Sequence, residues 1–259
     1  MSALEQVLDD LATETQVLDD LVAGLDEAGW RTPTPAAGWD VGAQVSHLRW
    51  TDTAATYAAT DKAAWDALVL EALADPDGFV DRTALAGAHE PALLQRWREG
   101  RAALAAALRD HPPGERLPWF GPPMSPTSMA TARFMEAWAH GLDVAEALGV
   151  EVAPTDRIRH VAHLGVRTRR FALGLHGLVP PEEEPRVELV APSGELWTWG
   201  PDDAAQRVTG PAYDFCLRVT QRRHRDDLDL VATGPDADRW LDLAQAFAGQ
   251  PGPGREPRS

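Results

Sequence analysis

The chain has 259 residues, 44% of them hydrophobic, which is enough for one large or two modest domains with proper cores. Lysine and arginine total 24 against 40 aspartates and glutamates, a net charge of −16 that argues against nucleic acid and anionic membrane surfaces as main partners. No apolar run approaches the roughly 20 residues of a membrane span, the first residues are amphipathic and unlike a signal peptide, and a lone cysteine cannot close an internal disulfide, so a reducing, cytoplasmic setting is expected.

Leu4, Val7, Leu8, Leu11, Leu18, Leu21, Val22 and Leu25 step by three and four, predicting a surface helix from about Ser2 to Glu27, stopped by Gly29. After the turn-rich RTPTPAAG, Asp40 is an N-cap for a second helix through about Tyr57 that carries His47. A short helical pattern in DKAAWDALVLEALADPDG precedes a third main helix over His89 to Arg109. HPPGERLPWFGPPMSPTS, residues 111–128, holds too much Pro and Gly for regular structure; Trp119 and Phe120 at its centre can roof a pocket or anchor a long loop. Ser125 and Pro126 open the fourth helix.

Near Val152 to Asp156 the pattern breaks. A helix is predicted from Arg157 to Leu178, followed by a β-hairpin in VELVAP, SGE and LWTWG, a strand in QRVTG, and helices in AYDFCLRVTQRR and DADRWLDLAQAF. These readings divide the chain into a helical domain over 1–152, a mixed α/β domain over 153–250 and a flexible tail over 251–259.

Glu136 and His140 are four residues apart in an apolar helical stretch and therefore share one face. With His47 as a third donor they outline a divalent-metal site of two nitrogens and one oxygen, with coordination left open for catalysis. Zinc is the expected ion, and iron(II) or nickel suits the same donors. Asp143, three residues after His140, can accept the second ring proton of a ligand histidine or form an ion pair across the bundle; Gln44 and Thr51 should line the same pocket face as His47. Arg222, in the local cluster QRRH, is a candidate for binding a substrate carboxylate. His160 and His163 are expected on the surface, and Cys216 in AYDFCLRV reads as a buried structural thiol.

The strings TPAAGWDVGAQVSHL, at Thr34 to Leu48, and FMEAWAHGLDVAEALG, at Phe134 to Gly149, resemble the DinB-like metal-binding superfamily, and within it the mycothiol-dependent maleylpyruvate isomerase group. RVTGPAYDFCLRVTQRRHRDDLDL and DRWLDLAQAFAG extend that resemblance through the second half. It implies an α+β protein, with an N-terminal DinB-like four-helix bundle and a smaller C-terminal α/β domain, and it implies His47, Glu136 and His140 as the metal ligands. It also implies a small-molecule substrate, electrophilic or carbonyl-containing, and mycothiol as a thiol cofactor for an isomerase or thiol transferase acting as monomer or homodimer. The single lysine, Lys62, and the absence of asparagine suggest a high-GC genome, compatible with bacteria that make mycothiol. Two other functions fit the same residues: a hydrolase or lyase that activates water without a thiol, and a non-catalytic metalloprotein that binds a small molecule.

Overall fold

The computed structural model describes residues 1–112, 114–250, 252 and 254–258, and the chain divides into two compact units, Met1–Val152 and Ala153–Ser259. Among the described residues are eleven α-helices and a four-stranded sheet, an α+β architecture. No helix among them is long and apolar enough to cross a membrane.

In the first unit, α1 (Ala3–Val22), α3 (Val41–Thr60), α6 (Leu93–Asp110) and α7 (Pro126–Leu148) form the four-helix bundle, with α1 packed along α7 and α3 along α6 and α7. Three of the four carry local start signals. The side chains of Ser2, Asp40 and Ser125 each accept a backbone N–H three residues on, and Pro126 occupies the first turn of α7, where a missing N–H costs nothing. Gly149, at φ +67°, closes α7 in the left-handed conformation that glycine adopts without steric cost. α6 instead follows Ala92 at φ +60° with no side-chain cap, so its start depends on packing.

Several boundaries differ from the sequence expectation. The predicted first helix ends at Val22, and Asp26 caps a separate short helix, α2 (Glu27–Trp30), with Gly29 inside it as the residue whose N–H the cap receives. α3 runs on to Thr60, where Asp61 caps the next helix, α4 (Lys62–Ala74). The region before α6 holds a further helix, α5 (Phe79–Gly87), and His89 lies in the turn between them. Two glycines set α5 and its C-cap close against α3: a Cβ on Gly87 would lie 2.4 Å from Ser46 Oγ, and one on Gly42 2.5 Å from the Ala88 carbonyl oxygen. The 111–128 segment is more ordered than its composition suggests, because Leu117 and Met124 exchange backbone hydrogen bonds and Leu117 is fully buried in the bundle. Position 113 lies outside the described residues.

The bundle core is apolar at both ends. Val7, Leu8, Ala55, Leu104, Leu108, Leu117 and Met129 fill one cluster, and Leu18, Val22, Val41, Val45, Leu48, Trp97 and Val144 the other. Along α3, α6 and α7 the buried Asp52, half-buried Arg101 and buried Arg133 fall between these clusters, while buried Asp19 and His47 lie among residues of the second. Asp19 accepts from Arg98 and Arg101, and the Arg98 bond, despite the opposing effect of burial, holds its carboxyl below the usual range.

The second unit begins with a 3₁₀ turn at Asp156–Ile158, then α8 (Arg159–Arg167) and α9 (Arg169–Leu175). These replace the single helix expected to Leu178. The break falls at Thr168, whose hydroxyl bonds the carbonyls of Leu164 and Gly165 and also that of Gln245, far along the chain. β1 (Arg186–Val190) and β2 (Leu196–Trp199) form the predicted hairpin, and β3 (Arg207–Pro211) pairs parallel to β1. A strand absent from the sequence reading, β4 (Val231–Thr233), completes the order β2-β1-β3-β4. At three residues it carries too little alternation to be read locally. Val187, Leu189, Trp197 and Val208 alternate onto a buried face, against which α10 (Ala212–Val219) and α11 (Pro235–Leu243) pack. α10 stops eight residues in, where Gln221 takes φ +59°. Of the expected flexible tail, positions 251, 253 and 259 lie outside the described residues.

Candidate metal centre

α3 and α7 cross so that His47 meets Glu136 and His140. Both histidine Nε2 atoms approach the same carboxylate oxygen, Glu136 Oε2, at 3.2 Å from His47 and 3.1 Å from His140. One donor atom from each residue lies within 4.8 Å of the other two, and among the described residues this is the one group of three His, Cys, Asp or Glu that converges in this way. The side chains are 10–14% exposed, so the cluster is largely desolvated yet open on one side. Burial alone would raise the Glu136 pKa, but the bonds from His140 and His47 and the charge of Arg133 outweigh it and hold the carboxyl well below the ordinary range.

A hydrogen-bond chain fixes the tautomer of His140. The Thr34 hydroxyl donates to the Trp39 carbonyl at 2.9 Å, so it accepts from Gln44 Nε2 at 2.8 Å. That orientation leaves Gln44 Oε1 facing His140 Nδ1 at 2.5 Å, and an amide oxygen can only accept. Nδ1 therefore carries a proton, and Nε2 is the ring nitrogen that faces Glu136. Two bonds of this relay start from Gln44, which the sequence reading placed on the pocket wall without a role. Asp143, three positions after His140 on α7, is fully buried, and His140 Nδ1 donates to Gln44 Oε1 on the facing helix.

Aromatic rings enclose the centre. Trp39 stacks on His140 at 5.9 Å between centroids and tilts against His47 at 5.2 Å, with its indole N–H held by Asp81 of α5 at 3.0 Å. From His47 the contacts continue through Trp50 to Phe79 and Phe120, and from Phe120 to Trp65 and Trp119. The two aromatics of the 111–128 segment thus belong to a chain of ring contacts that reaches His47 through Trp50. Arg133, one turn before Glu136, lies with Nη2 3.8 Å from Glu136 Oε1 and its guanidinium 5.1 Å from the Trp119 ring centre. Its only sequence signal was a charge inside the apolar run MATARFMEAW.

The remaining candidates make contacts of their own. Thr51 turns its hydroxyl back onto the carbonyls of His47 and Leu48. Asp52 is buried, and desolvation pushes its carboxyl up to about 6 against the pull of Arg133 and Arg101. Arg222, in the second unit, donates to the Thr220 carbonyl at 2.7 Å. His163 is exposed and accepts the Trp199 indole N–H, while His160 is half-buried rather than on the surface. Cys216 is fully buried with its thiol toward the Ile158 carbonyl, and burial raises its pKa well above the ordinary value, which suits an inert packing residue.

Comparison with known proteins agrees with this picture. The family model described as the mycothiol maleylpyruvate isomerase N-terminal domain matches residues 11–145, and one described as wyosine base formation matches residues 181–233. Two uncharacterised proteins of Mycobacterium tuberculosis, from strains CDC 1551 and H37Rv, are each 55% identical over 248 residues, covering 95% of this chain and 96% of theirs. The crystal structure of the mycothiol-dependent maleylpyruvate isomerase is similar at a TM-score of 0.57 and 14% identity, covering 90% of this chain and 95% of that one. A histidine-to-alanine mutant of that enzyme matches at 0.58 and 15%, with the same coverage. At such identity the likeness concerns the fold.

Proposed function

The chain belongs to the mycothiol maleylpyruvate isomerase family, and from that premise we propose that it is a divalent-metal enzyme using a thiol, mycothiol, to isomerise a small unsaturated carbonyl compound. The observation that carries the proposal is the convergence of two imidazole nitrogens on one ionised carboxylate oxygen. Bonds of about 2.0–2.2 Å at tetrahedral angles set neighbouring ligand atoms roughly 3.3–3.5 Å apart. The two nitrogen–oxygen separations, 3.2 and 3.1 Å, are close to that spacing, and the Gln44 relay, by placing a proton on His140 Nδ1, leaves Nε2 as the nitrogen available to a cation. The donor set therefore fits zinc, with iron(II) or nickel as alternatives.

His47 Nε2, His140 Nε2 and Glu136 Oε2 would hold the ion, which when bound lowers the pKa of a thiol and polarises a carbonyl. Gln44 keeps His140 in the ligating tautomer. Glu136 is held ionised, so it serves as a ligand instead of a proton donor. Trp39, Trp50 and Phe120 line the centre with apolar surface that excludes water and accepts a planar unsaturated molecule. Mycothiol, when bound, would supply a thiolate able to add reversibly to an alkene conjugated to a carbonyl, which permits isomerisation without net change if the thiol is released and makes the protein a thiol transferase if it is retained.

The test is the metal-loaded chain with a cis-unsaturated keto acid, followed by absorbance with and without mycothiol. Conversion that requires the thiol supports the proposal. Hydrolysis or cleavage indifferent to the thiol would replace it with a hydrolase or lyase, and binding without turnover would make the protein a non-catalytic metalloprotein.

A further inference from the structure

Arg133 is a buried cation whose hydrogen bonds are not met by the protein. Its side chain is 3% exposed, and among the described residues neither Nε nor Nη1 has a hydrogen-bond partner. The acceptor nearest Nη2, Glu136 Oε1, is 3.8 Å away, beyond hydrogen-bond distance. A guanidinium carries five N–H groups in one plane, and leaving them unmet in a low-dielectric layer is costly compared with a methionine or leucine of similar size. The guanidinium carbon of Arg133 lies 5.1 Å from the Trp119 ring centre, and the in-plane N–H edge of a guanidinium is the part that binds a carboxylate through two parallel bonds.

Charge points the same way. Arg133 is a buried positive charge within a chain whose total is −16. Asp52 is the nearby candidate counter-charge, yet it is not hydrogen-bonded to Arg133 by any described contact, and burial works against its ionisation.

Resting on the metal-centre reading above, we propose that Arg133 is a specificity-determining residue whose guanidinium anchors a carboxylate of the molecule bound beside Glu136, in a subsite between α7 and the Trp119 ring. The anchor and the metal would then hold the bound molecule at two points, as required to align an alkene with an incoming thiolate.

The experiment uses the full chain loaded with zinc, its metal content checked by elemental analysis, and titrated calorimetrically with maleate and with dimethyl maleate. Wild type should bind maleate at least tenfold more tightly than the ester. Arg133→Gln should keep its zinc and lose at least tenfold in maleate affinity, the scale of a charge-assisted bidentate contact. Its affinity for the ester should be unchanged. Arg133→Lys, which keeps the charge but not the fork, should fall between the two and carries the test alone if the glutamine variant does not fold. Unchanged maleate affinity in the variants, no preference of wild type for maleate over the ester, or zinc lost together with maleate would each overturn the assignment. Because no thiol is present, failure of the isomerase reading leaves this result interpretable.

Discussion

Gln44 joins two elements of the centre, and its replacement by leucine offers a quantitative test of how the site is built. Leucine keeps the volume of a fully buried side chain but cannot accept from His140 Nδ1. Either the Nδ1–H stays buried and unpaired, or the proton moves to Nε2 and removes the lone pair aimed at Glu136. The first outcome costs about 1–3 kcal/mol of stability. The second acts on metal binding, where loss of such an orienting partner weakens affinity about 10–100-fold, or about 1.4–2.8 kcal/mol. Competition between the metal-free protein and a chromogenic chelator measures affinity, and urea denaturation of the same sample measures stability. Gln44→Glu, which still presents an oxygen to Nδ1, should retain the affinity that Gln44→Leu loses. Asp143→Asn should lower affinity less than Gln44→Leu does. Leucine and wild-type proteins with equal metal affinity would refute the reasoning, as would a larger loss from Asp143→Asn.

His47→Ala and His140→Ala should each lose most bound metal, seen by elemental analysis, while circular dichroism stays helical because the two apolar clusters flanking the centre are untouched. The Asp52 carboxyl, pushed up to about 6 in the folded state from an ordinary 3.8, holds its proton longer than in the unfolded chain. The contribution of Asp52 to the stability of the metal-free protein should therefore fall as pH rises from about 4 to 6 and level off above, by roughly 3 kcal/mol at about 1.4 kcal/mol per tenfold change in proton affinity. Asp52→Asn should flatten that dependence in denaturation series at several pH values and be the more stable protein at pH 7; an unchanged slope would contradict the shift. Replacing Trp119 and Phe120 together by alanine should impair substrate affinity or turnover well beyond its effect on melting temperature, and a purely structural loop would show the reverse. Cys216 should resist thiol reagents in the native protein and react only under denaturant.

Local chemistry was legible along much of the chain. The start signals at Asp40 and Ser125 announced two bundle helices, because capping satisfies backbone groups within a few residues of one another. The four-residue spacing of Glu136 and His140 placed both on one face of α7, since helical geometry requires nothing more distant. Apolar alternation likewise disclosed the hairpin of β1 and β2. What depends on one helix's rotation against another was not legible. His140 and Gln44 are 96 residues apart in sequence, and only the packing of α3 on α7 makes Gln44 a partner of the ring. Arg133 reads as an ordinary arginine until the bundle buries it without an acceptor, and the break between α8 and α9 involves a carbonyl 77 residues away. Periodicity and capping are short-range forces written into neighbouring residues, whereas burial and long-range hydrogen bonding exist only once separate elements have docked. For this protein the sequence alone determined which side chains could ligate a metal, and the tertiary structure decided which neighbours set their protonation and which charge stands beside them.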